Sequence, residues 1–341
     1  MRAMRIHEHG GPEALKLEQI DPPRPGPGEV TVQVKACAMN HLDLWTRNGL
    51  PGLKIPMPHI LGSDISGVVV EAGDGVTRAS GEEVIVQPGL SCGCCLRCFE
   101  GRHSECKDYK IFGYQIDGGY TERLNVPQEN LLPKPRSLSF EEAASIPLVF
   151  LTAWHMLVGR AHIQPGEDVL VLAAGSGVGI ASIQIAKLWG ARVIATASTD
   201  AKLERAREIG ADEIINYKDK DFAEEVRRMT DNKGVEVVIE HVGTDTFDKS
   251  LRSLAKGGRL VTCGATSGAE AQINLRYLFA RHISILGSYM GGKPELAKLL
   301  PHFDTGELRP VVDRVFPLEE AAEAHRRMED RALFGKIVLT I

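Results

Sequence analysis

The sequence predicts an α/β protein: a doubly wound parallel sheet in the second half of the chain, joined to a smaller β lobe that begins and ends it. Three observations carry that reading. Val169 to Ala173 form a fully apolar, β-branched run, as a strand buried on both faces of a parallel sheet does. That run leads at once into the small-residue turn Ala174-Gly175-Ser176-Gly177-Val178-Gly179 and a helical pattern over Val178–Trp189. From about residue 150 strands and helices alternate, whereas the first lobe holds proline-rich connectors, short strands and a cysteine-rich loop.

In the first lobe, Pro22-Pro23-Arg24-Pro25-Gly26-Pro27-Gly28 reads as a stiff connector. Val30, Val32 and Val34 then alternate with polar residues at the period of a half-buried strand. Ile65–Val70 and Glu83–Val86 predict two further strands, with glycine turns at Gly73, Gly75 and Gly81 between them. The lobe is expected to be all-β and loop-rich. Cys92, Cys95, Cys98 and Cys106 follow the spacing C-x2-C-x2-C-x7-C. Four thiolates in one short loop can enclose a tetrahedral Zn²⁺ with no open position, which makes the expected site structural. Cys94 and His103 lie inside the loop as rival ligands, and free or oxidised cysteines are the alternative.

The second lobe is expected to carry strands at Val169–Ala173, Arg192–Ala197, Ile214–Ile215, Glu236–Glu240, Arg259–Cys263 and Ile283–Gly287. Helical patterns lie between them, and Gly190 and Gly210 stand where helix C-caps belong. In such a sheet ligands bind at the carboxyl ends of the strands, and the turn at residues 174–179 is the first of those ends. Its backbone N–H groups, at a helix start, suit a phosphate. The strict spacing G-x-G-x-x-G is not met, because counting from Gly175 and Gly177 puts Ile180 third. After Gly287 the chain is expected to return to the first lobe and end in a strand, Lys336–Ile341. The expected domains are therefore 1–149 with 288–341, and 150–287.

Composition bounds the function. Hydrophobic content of 43% and charged content of 25% are those of a soluble globular chain. A formal charge of −5 offers no basic field for nucleic acid or an anionic membrane. The most apolar window, Val169–Ala186, is better explained by strand, turn and helix than by a membrane span. Arg2 and Arg5 follow Met1 with no apolar leader, so a cytoplasmic protein is expected, with its seven cysteines as thiols or ligands.

The lobe order, the four-cysteine loop and the glycine-rich turn together resemble the medium-chain dehydrogenase/reductase superfamily. The resemblance covers the whole chain and implies a GroES-like irregular β-barrel domain beside a Rossmann sheet. It places Ala174, Ser176 and Gly179 in the three fingerprint positions, with Gly175, Gly177 and Val178 as neighbours. Zinc alcohol dehydrogenases of this superfamily hold a second, catalytic zinc, and its three ligand positions fall here on Asn40, Ser63 and Leu148. What remains is similar to the quinone reductase and enoyl reductase branch, whose Asn-x-x-Asp element matches Asn40-His41-Leu42-Asp43. The four-cysteine loop departs from that branch, so the chain reads as a hybrid with structural zinc kept and catalytic zinc lost.

No carboxylate ends the second strand, Thr196-Ala197-Ser198-Thr199, where an NAD-specific sheet carries an acid for the ribose 2′-OH. Asp200 is read as a helix cap, and Ser198 and Lys202 as contacts for a 2′-phosphate. The resemblance adds Tyr217 and Arg331, so NADPH is expected in preference to NADH. The implied reaction is NADPH-dependent reduction of a quinone or α,β-unsaturated carbonyl compound. Asn40 would meet the carbonyl oxygen, His41 or solvent would give the proton, and Asp43 would complete the catalytic element, with a structural hydrogen-bonding role as its alternative. Thr152 and the Gly287-Ser288 backbone would position the nicotinamide. Trp45 and Arg47 either line the cleft or pack.

Two rival functions stay open. One is an alcohol or aldehyde dehydrogenase with an irregular metal site drawn from Cys37, His41, Asp43, His59 and Asp64. The other is a low-turnover NADPH-binding sensor or structural protein. The resemblance also implies a homodimer or homotetramer, with Ile283–Leu286 as the strand that pairs between subunits.

Overall fold

The structure is a computed structural model and describes residues 1–50, 52 and 54–341. The chain folds into two compact units, Met1–Leu148 with Gly292–Ile341, and Val149–Gly291. No described helix is long and apolar enough to cross a membrane.

The first unit is built on β1 (Glu29–Ala38), where Val30, Val32 and Val34 are buried at the alternation the sequence predicts. The lobe is not all-β, because α1 (His41–Asn48) follows directly. Asp43 starts this helix by reaching back to the Asn40 N–H with its carboxylate, at 2.7 Å. The helix escapes a periodicity search for a physical reason: its buried residues are Asp43, Leu44, Thr46 and Arg47, mostly polar, so no apolar stripe marks it. β2 (Asp64–Ala72) pairs antiparallel with β1, and Asp64 lies across from Ala38.

The second unit follows α2 (Pro147–Trp154) and alternates strictly. Its elements are β3 (Asp168–Val171), α3 (Gly177–Leu188), β4 (Arg192–Ala197), α4 (Asp200–Glu208), β5 (Glu213–Asn216), α5 (Phe222–Met229), β6 (Val235–Glu240), α6 (Phe247–Ser253), β7 (Leu254–Thr262), α7 (Leu275–Ala280) and β8 (Ser284–Gly287). The strands are all parallel in the order β5-β4-β3-β6-β7-β8, the doubly wound Rossmann arrangement the sequence predicts. The order reverses between β3 and β6, which puts the ligand crevice at their carboxyl ends. Leu170, Ile194, Val238 and Leu260 are wholly buried at its core.

Two local expectations shift. β3 stops at Val171 rather than Ala173, since Ala173 adopts φ 46 and has already entered the turn. Asp200 is not the cap of α4. Thr199 takes that place, and the Asp200 carboxylate accepts from Asn216 Nδ2 at 3.0 Å.

The chain returns to the first unit through α8 (Lys293–Asp304) and α9 (Ala321–Glu329), which the sequence reading did not foresee, and closes in the expected strand, β9 (Lys336–Thr340). β9 runs antiparallel to β1, with Val338 across from Ala38. Running that register two residues on brings Lys336 to Asn40.

α9 and α1 share a buried polar contact. Arg47 is 1% exposed, pairs with Glu329 and donates to His325 Nδ1 at 2.9 Å. It is therefore a packing residue rather than part of a cleft wall. Burial, followed by the Arg47 charge, pushes the His325 pKa down to about 3. The folded state thus binds fewer protons than the unfolded chain below pH 6.5, where an unperturbed histidine titrates. The stabilisation from a neutral His325 is complete above pH 6.5 and is lost as the pH falls toward 3.

His41, held down to about 4 by burial, adds to that loss, and Asp43, raised to about 7 by burial, opposes it. In thermal melts His325→Gln is expected to lower the Tm at neutral pH and to flatten its fall over this window. The slope removed is up to about 1.4 kcal/mol per pH unit. Parallel curves for variant and parent would contradict this.

Candidate functional site

Four element ends meet in the first unit: Asn40 after β1, Asp43 in α1, Asp64 opening β2 and Lys336 opening β9. The Lys336 ammonium donates to Asn40 Oδ1 at 2.6 Å and to Asp64 Oδ2 at 2.9 Å. Asn40 Nδ2 donates to the same Asp64 oxygen at 2.9 Å. An ammonium can only donate and a carboxylate can only accept, so the Asn40 amide has one possible orientation here. Asp64 Oδ1 takes the Leu148 N–H at 2.7 Å. Asp43 takes the N–H of Asn40 and, at 2.9 Å, that of Gly62. A Cβ on Gly62 would lie 2.5 Å from the Tyr120 ring and 2.6 Å from Cys37 Sγ, so only glycine fits this approach.

Burial raises the Asp43 pKa to about 7, against the pull of its two backbone donors. Burial, with Arg331 and then Lys336 nearby, lowers His41 to about 4. His41 is therefore held in its neutral form at ordinary pH. Lys336 is the residue that sequence reading missed in this cluster.

The three positions matched to catalytic-zinc ligands carry other duties. The Asn40 side chain is committed to Asp64 and Lys336, Leu148 contributes its backbone N–H, and Ser63 is wholly buried. Its Oγ has no partner among the described residues. The five residues weighed for an irregular metal site do not converge. Among the described residues, the one set of metal-type ligands brought together is Cys92, Cys95, Cys98 and Cys106.

Those four sulfurs all lie within 4.8 Å of one another, with Cys92–Cys98 at 3.9 Å and Cys95–Cys98 at 3.6 Å. A tetrahedral zinc with Zn–S bonds of about 2.3 Å separates its sulfurs by about 3.8 Å, so the donor set fits. Cys94 points outward, and the His103 ring turns to the Gly101 carbonyl at 3.0 Å, so both rivals stand outside the set. The four thiolates would hold a zinc with no open position, and its contribution there would be to order the loop.

In the second unit, Ser176 caps α3, its Oγ accepting the Gly179 N–H at 3.0 Å. The same oxygen lies 3.0 Å from His241 Nε2, just past β6. Ala174 N–H donates to Thr196 O at 2.9 Å, which ties the turn to β4. A Cβ on Gly179 would sit 2.4 Å from the Ala173 carbonyl oxygen. Ala174 and Gly175 are buried, whereas Ser176, Gly177 and Val178 are half-buried and face the crevice end of the sheet. Helix N-terminal N–H groups in a small-residue cradle fit a dinucleotide pyrophosphate.

At the end of β4, Tyr217 N–H donates to Ala197 O at 3.2 Å, which brings Tyr217 beside Ser198. Lys202 is half-buried in the first turn of α4. Thr152 and Ser288 each hold a buried hydroxyl without a partner among the described residues, and the Gly287 carbonyl accepts from Arg160 Nε at 2.9 Å. Arg331 belongs to the first unit, where its charge acts on His41. Sequence reading also missed His241 and the wholly buried Glu240 before it. Glu240 accepts from Val242 N, Gly243 N, Thr246 Oγ1 and Ser250 Oγ. The signal for both was the polar pair that ends an otherwise apolar strand.

Residues 26–136 match the alcohol dehydrogenase GroES-like domain, and residues 177–305 match the zinc-binding dehydrogenase model. A quinone oxidoreductase of Rattus norvegicus is 30% identical over 100% of this chain and 98% of its own length. A crystal structure described as an NAD-dependent alcohol dehydrogenase is 50% identical with a TM-score of 0.97, covering 100% of both chains. A structure of the crotonyl-CoA carboxylase/reductase AntE in complex with NADP is 26% identical with a TM-score of 0.93, over 100% of this chain and 94% of that one.

Proposed function

We propose a function for this chain from one premise: it belongs to the zinc-binding dehydrogenase family of the medium-chain dehydrogenase/reductase superfamily. It is an NAD(P)H-dependent oxidoreductase, and its reaction is the NADPH-dependent reduction of a quinone or α,β-unsaturated carbonyl compound. The observation that carries this reading is the Asn40–Asp64–Lys336 cluster, in which one position matched to a catalytic-zinc ligand, Asn40, is bonded to both members of a buried ion pair. A carbonyl that accepts hydride needs its oxygen met by hydrogen-bond donors, and Asn40 retains a second amide proton for that task. When bound, the nicotinamide supplies the hydride. The cradle at residues 174–179 would bind its pyrophosphate, with Thr152, Gly287 and Ser288 orienting the ring. Likeness to the rat quinone oxidoreductase supports the substrate class.

The phosphate-bearing cofactor is favoured because the first acid past β4, Asp200, is engaged by Asn216, while the Tyr217 N–H is tied to Ala197 next to Ser198 and Lys202 stands in the first turn of α4. The NADP-bound relative supports the same choice. A second reading, an NAD-dependent alcohol dehydrogenase, is favoured by the 50% identical structure. We place the chain in the cytoplasm, where thiols stay reduced to hold zinc, and as a homodimer or homotetramer. β8 is the edge of its sheet, and Leu275 and Phe279 near it are 68% and 69% exposed.

Turnover on two panels tests the reading. NADPH should be consumed with quinones and enones at a kcat/KM about tenfold above that with NADH, and Lys202→Ala should close that gap by removing a charge-assisted contact. Reduction of NAD⁺ by alcohols, with no enone turnover, would establish the second reading instead.

A further inference from the structure

We propose that Lys336 and Asn40 together form an oxyanion site that binds the carbonyl oxygen of the substrate and holds its negative charge as the enolate forms. This inference rests on the reductase reading and adds a cation to it.

The cluster has a direction. Its carboxylates are sealed in, with Asp43 and Asp64 at 0% exposure, while the donors Asn40 and Lys336 keep 7% and 5%. Each of the four carboxylate oxygens is also already taken. Asp64 takes the Leu148 N–H, the Asn40 amide and the ammonium, and Asp43 takes two backbone N–H groups. The donors are not all taken. The ammonium has three N–H bonds and directs two, to Asn40 Oδ1 and Asp64 Oδ2, with no third acceptor among the described residues. Asn40 likewise uses one of its two amide protons. A small oxygen anion is the ligand that completes such a set. A cation would meet the ammonium, and an apolar group would leave the donors unpaired.

The physical use follows from preorganisation. Asp64 and Asn40 fix the ammonium before substrate arrives, so little reorganisation is needed when charge develops. Hydride from the reduced nicotinamide dinucleotide forms a C–H bond at the β-carbon. The C=C π pair shifts toward the carbonyl, whose oxygen takes the negative charge while the dinucleotide is oxidised by two electrons. Lys336 and Asn40 donate to that oxygen and keep their protons. A proton delivered from solvent, directly or by way of His41, completes the α-carbon.

The test uses the zinc-loaded protein titrated with para-nitrophenol, a carbonyl-free oxyanion whose absorbance reports its ionised form. The parent should bind the phenolate. Lys336→Met alone leaves Asp64 buried and unpaired, so the double variant Asp64→Asn/Lys336→Met removes both charges and keeps the comparison on folded protein. Folded double variant should bind the phenolate about tenfold or more weakly, the loss of one charge-assisted hydrogen bond. With an enone and NADPH its kcat and kcat/KM should fall together, since the contact strengthens in the transition state.

A parent that fails to bind phenolate, or a folded double variant that binds and turns over like the parent, overturns the site. A parent that binds phenolate through Lys336 but reduces no enone or quinone supports the site and overturns the reductase reading, so the two failures are distinguishable.

Discussion

Gly179→Ala is expected to abolish useful dinucleotide binding and to destabilise the second unit. The added Cβ would stand 2.4 Å from the Ala173 carbonyl oxygen and 3.0 Å from Ala174 Cα. Both are backbone atoms of the turn itself, so relief requires α3 to move away from β3. Overpacking of this kind costs about 1–3 kcal/mol. The larger effect falls on binding, because the N–H groups at the start of α3 are aimed by that close packing, and a shift of about 1 Å can cost a hundredfold. NADPH titration followed by fluorescence should show a Kd raised by about two orders of magnitude, and melts should show a lower Tm. Glu208→Ala, a change at an exposed position at the far end of α4, should leave both close to the parent. A Gly179→Ala protein with parental affinity would show that the turn does not hold the cofactor.

Asp64→Ala is expected to cost the first unit about 3–5 kcal/mol, the penalty of breaking a buried ion pair from one side. The carboxylate is wholly buried and receives the Leu148 N–H, the Asn40 amide and the Lys336 ammonium. Its removal strands an ammonium that is only 5% exposed. Asp64→Asn/Lys336→Met should recover most of the loss in urea unfolding, because neither charge then remains unpaired. Two variants that lose the same stability would mean that the pair carries no mutual charge compensation.

Much of the second unit is legible in the sequence because its parallel strands are buried on both faces. That burial forces continuous apolar runs such as Val169–Val171, and the helices between them end near glycines. The four-cysteine loop is legible for a different reason: the chemistry of one ion dictates both residue type and spacing. α1 is hidden because its buried face is mostly polar, and Asp43 and Arg47 on it meet partners elsewhere in the unit, Gly62 and His325.

Lys336 is hidden more deeply. In Gly335-Lys336-Ile337 it reads as the solvated start of a strand, and the carboxylate that buries it lies 272 residues earlier in the chain. Local patterns report periodicity and capping, whereas the pairing of β9 with β1 is a tertiary event. Asn40 and Asp43 could be selected from the motif, but their role as part of an ion-paired cluster required that register.

Cys92, Cys95, Cys98 and Cys106 are the one set of metal-type ligands brought together among the described residues, so a single zinc per chain is expected. Zinc content per chain, measured by elemental analysis on the purified protein and on Cys98→Ser, tests it most directly. One zinc per chain is expected in the parent and none in the variant, where one of the four thiolates is lost. Two zincs per chain, with one surviving in Cys98→Ser, would contradict it.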